Sequence, residues 1–162
     1  MRPRIIAFYS GEAPDDRGRF LGEIQAWPDE RLESVHDFIQ WMFPLNEPSA
    51  VNPRAPVLER ETIDEFRSRP ELQGNVRASF QRMLRFYGLD KQPGSDTKFQ
   101  NWLSPGNHNH LRITRIIKCL RLLGLEAEAQ TFYKCLAGIY EREPRKITAE
   151  TFRFWSEASG QG

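Results

Sequence analysis

Leu32, Val35, Ile39, Met42 and Phe43 recur at spacings of three and four, the interval at which side chains return to one face of an α-helix. The same interval runs through Leu72, Val76, Phe80, Met83, Leu84 and Tyr87, and again through Ile113, Ile116, Ile117, Leu120 and Leu123. A further run carries Ala129, Phe132, Tyr133, Leu136, Ala137 and Tyr140. No stretch alternates with period two for long enough to compete as a strand. Such a chain hides its apolar flanks by packing helices on helices. The predicted fold class is therefore all-α, an irregular orthogonal bundle of about six to eight helices. At 162 residues the chain has the usual size of one domain, with its core over about 8–158. The apolar share is a modest 39%, but 4 Trp, 4 Tyr and 11 Phe supply enough ring area to build that core.

Punctuation places the helices. A helix over about Gly18–Trp27, capped by Asp15 or Asp16, ends at Pro28, and Asp29–Phe43 reads as a continuous central helix stopped by Pro44. Pro44, Pro48, Pro53 and Pro56 make the next segment a rigid, ordered loop, with Leu45, Val51 and Val57 as its anchors. Helices follow over Glu59–Arg69 and Pro70–Tyr87, the second opened by a first-turn proline and closed by Gly88. Phe99, Trp102 and Leu103 suggest a further turn before Ser104-Pro105-Gly106. Helices over Asn109–Leu123 and residues 126–141, joined at Gly124, should pair antiparallel, and Thr148 caps a last helix bearing Phe152, Phe154 and Trp155. Residues 1–14 read as a ragged start, partly ordered by Ile5, Ile6, Phe8 and Tyr9.

No apolar run is long enough to span a bilayer, and the opening residues do not make a secretory signal. Cys119 and Cys135 read as two packed, reduced thiols, with one disulfide between neighbouring helices as the rival, and the expected location is cytoplasmic. Charge is unevenly spread: residues 1–66 hold 13 acidic and 7 basic side chains, residues 67–121 hold 3 and 11. Arginine outnumbers lysine 18 to 5, which suits planar recognition of carboxylate or phosphate. The excess is a docking surface for an anionic partner, is neutralised by the acidic first half, or is taken up in internal ion pairs with Asp64, Glu65 and Glu71.

The run Trp27-Pro28-Asp29-Glu30-Arg31-Leu32-Glu33, then His36-Asp37-Phe38-Ile39-Gln40-Trp41-Met42-Phe43-Pro44-Leu45, resembles the opioid growth factor receptor conserved region. Glu47-Pro48-Ser49, Asn52, Ala55-Pro56, Met83-Leu84-Arg85-Phe86-Tyr87-Gly88-Leu89, Arg112-Ile113-Thr114-Arg115-Ile116, Leu120-Arg121-Leu122-Leu123-Gly124-Leu125, Phe154-Trp155 and Ala158 extend the likeness. The compact length is similar to that of stand-alone, microbial members. For the animal receptors the resemblance implies binding of an enkephalin peptide and association with the nucleus. It brings no catalytic residues with it.

The candidate chemistry is sparse. His36 and Gln40, four apart, share a helical face on which they could hold a polar network or ligand, beside Trp41. Asn107-His108-Asn109-His110 reads more simply as a helix cap than as a metal site. Arg77 and Arg85 lie with Gln81 on one face of a helix, with Arg82 beside them, and Arg115, Lys118 and Arg121 form a second track. Gly88, Gly94 and Gly106 are separate stops and not a phosphate-cradling loop, and no cofactor is expected. The expected role is a non-enzymatic binding domain for a peptide, a small anionic molecule or a protein partner. Two alternatives stand beside it: nucleic-acid binding through the arginines of 67–121, or an enzyme using His36 or His110 as acid or base.

Overall fold

The computed structural model describes residues 3–90 and 102–161. Nine helices occur among them, and the fold is all-α and irregular. The chain divides into two compact units, Met1–Phe86 and Tyr87–Gly162.

The first unit contains α1 (Arg4–Tyr9), α2 (Leu21–Gln25), α3 (Asp29–Ser34), α4 (Ile39–Met42), α5 (Arg60–Ser68) and α6 (Pro70–Phe86). The long helix α6 is its spine, against which α1, α2 and α5 pack. Its apolar stripe of Leu72, Val76, Phe80 and Met83 is buried as the periodicity predicts. Running beside it is a second stripe that apolar spacing alone does not reveal. Asn75 donates from Nδ2 to the Tyr9 carbonyl at 2.7 Å. Ser79 Oγ lies 2.9 Å from the Tyr9 hydroxyl and accepts from Gln25 Nε2 at 3.0 Å. Arg82 donates to the carbonyl of Trp27 at 2.8 Å. Asn75, Ser79 and Arg82 stand at i, i+4 and i+7, so one face of α6 satisfies polar groups of α1, α2 and the turn after α2. The Tyr9 hydroxyl also donates to the Met42 carbonyl, tying in α4.

The opening residues are more ordered than a ragged start. Ile5, Ile6, Phe8 and Tyr9 are all buried on α1, because four large apolar groups in five positions leave a short helix no way to stay outside the core. The expected helix over Gly18–Trp27 is shorter than predicted. Asp15 does not cap it. Its Oδ1 instead accepts the backbone N–H groups of Arg17 and Arg19, at 2.9 and 3.0 Å, holding the chain in a turn that delays α2 to Leu21.

The continuous helix predicted over Asp29–Phe43 does not form. It breaks between Ser34 and Ile39, where Val35 turns extended at ψ 130°. The carbonyls released by the break are taken up by side chains. Asn52 Nδ2 and Arg19 Nη2 reach the Asp37 carbonyl at 3.3 and 3.4 Å, and Gln40 Nε2 reaches that of His36 at 3.4 Å. Breaking the helix lets every residue from Phe38 to Leu45 be buried, which no single face of a straight helix allows. Phe38 then meets Trp27 edge-on, ring centroids 5.5 Å apart. Of the anchors expected in the proline-containing segment, Leu45 is buried, but Val51 is 85% exposed and Val57 44%. Ala55 and Leu58 are buried there instead, with Leu58 N–H donating to the Leu45 carbonyl at 2.8 Å.

The second unit packs α7 (Asn109–Leu122), α8 (Glu126–Arg142) and α9 (Ala149–Ser159) mutually. Gly124, at φ +90°, ends α7, and Leu125 N–H returns to the Leu120 carbonyl at 2.8 Å, the six-to-one bond of a Schellman turn. Thr148 caps α9 as expected, its Oγ1 accepting the Thr151 N–H at 3.1 Å. Trp102 is buried, in a turn and not a helix, while Phe99 and Gly94 lie outside the described residues. Cys119 and Cys135 are both free thiols; Cys119 is packed, but Cys135 is exposed, contrary to expectation.

Candidate functional site

Residues that suggested chemistry in the sequence fall into three surroundings. Gln40 and Trp41 are buried on α4, and the Trp41 ring is fully enclosed with the Arg4 guanidinium 5.1 Å from its centroid. Trp41 is thus a core residue. His36 is exposed, but it lies in the break between α3 and α4. It therefore does not share a helical face with Gln40, and the bond between the two residues uses the His36 carbonyl and not its imidazole.

His110, on α7, is buried between two indoles, its ring 6.3 Å from that of Trp102 and 5.5 Å from that of Trp155. Its Nε2 lies 2.9 Å from the Trp102 carbonyl, so Nε2 carries the proton and donates. The Trp155 indole N–H in turn donates to the His110 carbonyl at 3.1 Å. Nδ1 is buried and has no hydrogen-bond partner among the described residues. Burial, only partly offset by the bond to Trp102 and assisted by the neighbouring His108, pulls this imidazole below its ordinary pKa. Asn107 shapes the turn that leads into α7, its Oδ1 accepting the Asn109 N–H at 2.9 Å, while His108 stands at the N-cap position. Among the described residues no group of three or more His, Cys, Asp or Glu is placed to hold a metal ion.

The lowered His110 pKa predicts how stability varies with pH. Below the ordinary imidazole value of 6.5 the unfolded chain takes up a proton that the folded ring still refuses. Protonation therefore favours unfolding: the second unit loses stability as pH falls from there to the lowered folded value, and no further loss comes from this group below it. Urea midpoints measured between pH 7.5 and pH 5 should fall, and His110→Phe should flatten that slope. An unchanged slope in the variant counts against the assignment.

The arginines divide between internal joints and exposed faces. Arg121 belongs to a joint. It pairs with Glu126 at 2.9 Å, donates to the Ala158 carbonyl at 3.0 Å, and lies so close to Gly160 (φ +86°) that a Cβ there would sit 3.0 Å from its Nη2. Arg115 is half-buried on the same helix, its charge near Cys119. Burial nonetheless pushes the Cys119 thiol far up and keeps it protonated. Arg69 is held by Glu65 and Glu71, both at 2.6 Å, as expected of internal ion pairs; Glu65 comes from the acidic first half and Glu71 from the basic stretch itself. Arg77 and Arg85 are exposed on α6, with Gln81 between them. Arg77 and Arg85 belong to the first unit, Arg115 and Arg121 to the second.

One group of functional interest went unremarked in the sequence. Around Trp27 gather the guanidinium groups of Arg19 at 5.5 Å and Arg31 at 4.4 Å from the ring centroid, and Arg82 on its carbonyl. Arg19 is bound at 2.8 Å to Asp15 and at 2.9 Å to Asp37. Burial opposes its charge, but the hydrogen bonds it donates to Asp37 and Asp15 outweigh that and raise its pKa. The only sequence signal for the group was the density of arginine and aspartate flanking Trp27. Their pairing depends on the turn at Asp15 and the break at Val35, which spacing does not predict.

The conserved-region model of the opioid growth factor receptor matches residues 6–156. The chain belongs to that family. It is 38% identical to the opioid growth factor receptor of Mus musculus and 39% identical to that of Homo sapiens, each over 134 residues that make up 75% of this chain. It is 34% identical over the same length to the opioid growth factor receptor-like protein 1 of Mus musculus. These alignments span only 21%, 20% and 29% of the respective relatives, so family membership describes one region of those longer proteins. No solved structure matches the chain. No described helix is long and apolar enough to cross a membrane.

Proposed function

We propose that this member of the family is a non-enzymatic binding domain for an anionic partner, an acidic peptide segment above all, and that α6 presents the docking face. The observation that carries the reading is the exposed side of that helix. Arg77, Gln81 and Arg85 stand there at i, i+4 and i+8, beside the small residues Gly74 and Ala78. The acid at the start of this face, Glu71, is drawn to Arg69. Eight residues of helix span about 12 Å, close to the distance of about 13 Å between carboxylates four residues apart on an extended peptide. Guanidinium groups at that spacing can each fork onto one carboxylate. That relatives carry the name of receptors fits a binding role, and the locked ring of His110 removes one of the two imidazoles an enzymatic reading would use.

Calorimetric titration with hexaglutamate tests the proposal. Binding should weaken with added salt, as exposed charges demand. The double variant R77E/R85E should bind at least about tenfold more weakly, the loss expected for even one charge-assisted hydrogen bond of about 1.5–3 kcal/mol. Absence of heat with the wild type, or equal affinity in the variant, would remove the α6 face from consideration. Tighter binding of a single-stranded oligonucleotide than of the peptide would favour the nucleic-acid alternative.

A further inference from the structure

Arg82 is the one arginine of α6 drawn into the core, with 5% of its side chain exposed. All its hydrogen bonds run from Nη2, to the Trp27 carbonyl at 2.8 Å and to Asp29 Oδ1 at 2.7 Å. Nε and Nη1 are buried without a hydrogen-bond partner among the described residues. A guanidinium offers two forks, Nε with Nη2 and Nη1 with Nη2, and each matches two oxygens of one carboxylate or phosphate. Asp29 fills neither. It meets the shared nitrogen through a single oxygen, and its own side chain is 57% exposed. Two residues on from Asp29 in α3, the exposed Arg31 lies over the Trp27 ring at 4.4 Å from its centroid. Arg19, on the same ring, is already consumed by Asp15 and Asp37.

We infer that Arg82 and Arg31, with Trp27 between them, form a seat for a single oxyanion, and that Asp29 occupies it until a ligand carboxylate displaces it. The seat deepens the binding reading above and rests on it for the kind of partner, an acidic peptide that places one side-chain carboxylate here. A carboxylate that forks onto Arg82 makes two bonds where Asp29 makes one, and Asp29 swings into water with little loss because it is already more than half exposed. Arg31 supplies the second positive charge without giving up its indole, since a guanidinium stacks through its face and donates through its edge. Arg82 sits three residues from Arg85, hence on the neighbouring strip of the same helix. One partner can therefore engage the exposed face and this recess together, and two weak contacts become one stronger one. Glu30, exposed on α3, Asp29 itself, and Asp15 and Asp37 around Arg19 on the same ring are nearby acids that oppose entry. They set a preference for a carboxylate delivered by a tethered chain over a free ion.

The test follows the Arg82 Nε–H resonance in nitrogen–proton spectra of the full chain, because a buried guanidinium N–H exchanges slowly enough to be seen. Titration with inorganic phosphate and with acetate, at constant ionic strength in chloride, should shift this resonance along a saturating curve. D29N, which removes the competing carboxylate, should tighten that curve on the order of fivefold, the weight of one exposed ion pair. R82K keeps the charge but loses the fork, and should abolish saturation in the shifts of the Trp27 indole N–H. A linear or absent response in both wild type and D29N overturns the seat. A D29N curve no tighter than the wild type also overturns it. The seat and the α6 face are separable. Saturation by phosphate in a protein that gives no heat with hexaglutamate upholds the seat and removes the peptide reading. Hexaglutamate binding that R77E/R85E weakens while the Arg82 resonance stays still upholds the face and removes the seat.

Discussion

Phe8→Ala should lower the stability of the first unit by about 3–5 kcal/mol, the range for emptying a buried phenylalanine site. Phe8 is fully buried, with its ring 5.8 Å from Tyr9 and 5.2 Å from Trp41, both in edge-on geometry. Its helix α1 is only six residues long, too short to hold itself together in water. It is therefore held by what its rings bury. Losing Phe8 also loosens Tyr9, whose hydroxyl joins Met42 to Ser79. The effect should exceed what the void alone predicts if that network fails with it. Urea denaturation, with amide exchange in α6 as the local readout, measures both. A loss below about 1 kcal/mol, the usual effect of an average point change, would mean that the start of the chain is not part of the core.

Trp155→Ala should be the corresponding lesion in the second unit, again at about 3–5 kcal/mol. The indole is fully buried, 5.5 Å from His110 and 6.4 Å from Trp102, and its N–H bonds the His110 carbonyl. Trp155→Phe separates the two contributions. It keeps most of the ring volume and gives up the hydrogen bond, so its cost should stay near the 0.5–1.5 kcal/mol of one such bond, about a third of the alanine loss. Thermal and urea unfolding followed by near-ultraviolet dichroism read both variants. Equal losses in the two would show that the bond and not the ring carries the packing. The alanine variant should also release the histidine: with one wall of its box gone, His110 should titrate nearer its ordinary value.

Much of the secondary structure was legible along the chain because its signals are local. Pro70 and Gly88 bracket α6, Gly124 ends α7, and Thr148 caps α9. Each acts through its own backbone geometry, whatever surrounds it. The apolar stripes of α6, α7 and α8 were legible for the same reason. The candidate site was legible only in part. Arg77 and Arg85 are where a helical wheel puts them, but Trp41 and Arg121 are committed to internal contacts that no wheel displays. His36 and Gln40 were paired on the premise of an unbroken helix. The break removes that premise, and it arises from donors on Arg19 and Asn52, 18 and 15 residues from Asp37 in sequence.

The order of amino acids by itself determined that this chain is helical, where most helices stop, and to which family it belongs. These follow from residue-by-residue propensity and from patterns that survive whatever the rest of the chain does. Tertiary structure alone decided which polar groups are spent and which remain. Arg82 and Arg85 are the same residue type three positions apart, yet one is inside and bound to Trp27 and Asp29 while the other faces water. A guanidinium's role is set by the carboxylates and carbonyls brought to it, and those arrive only when distant segments fold against α6.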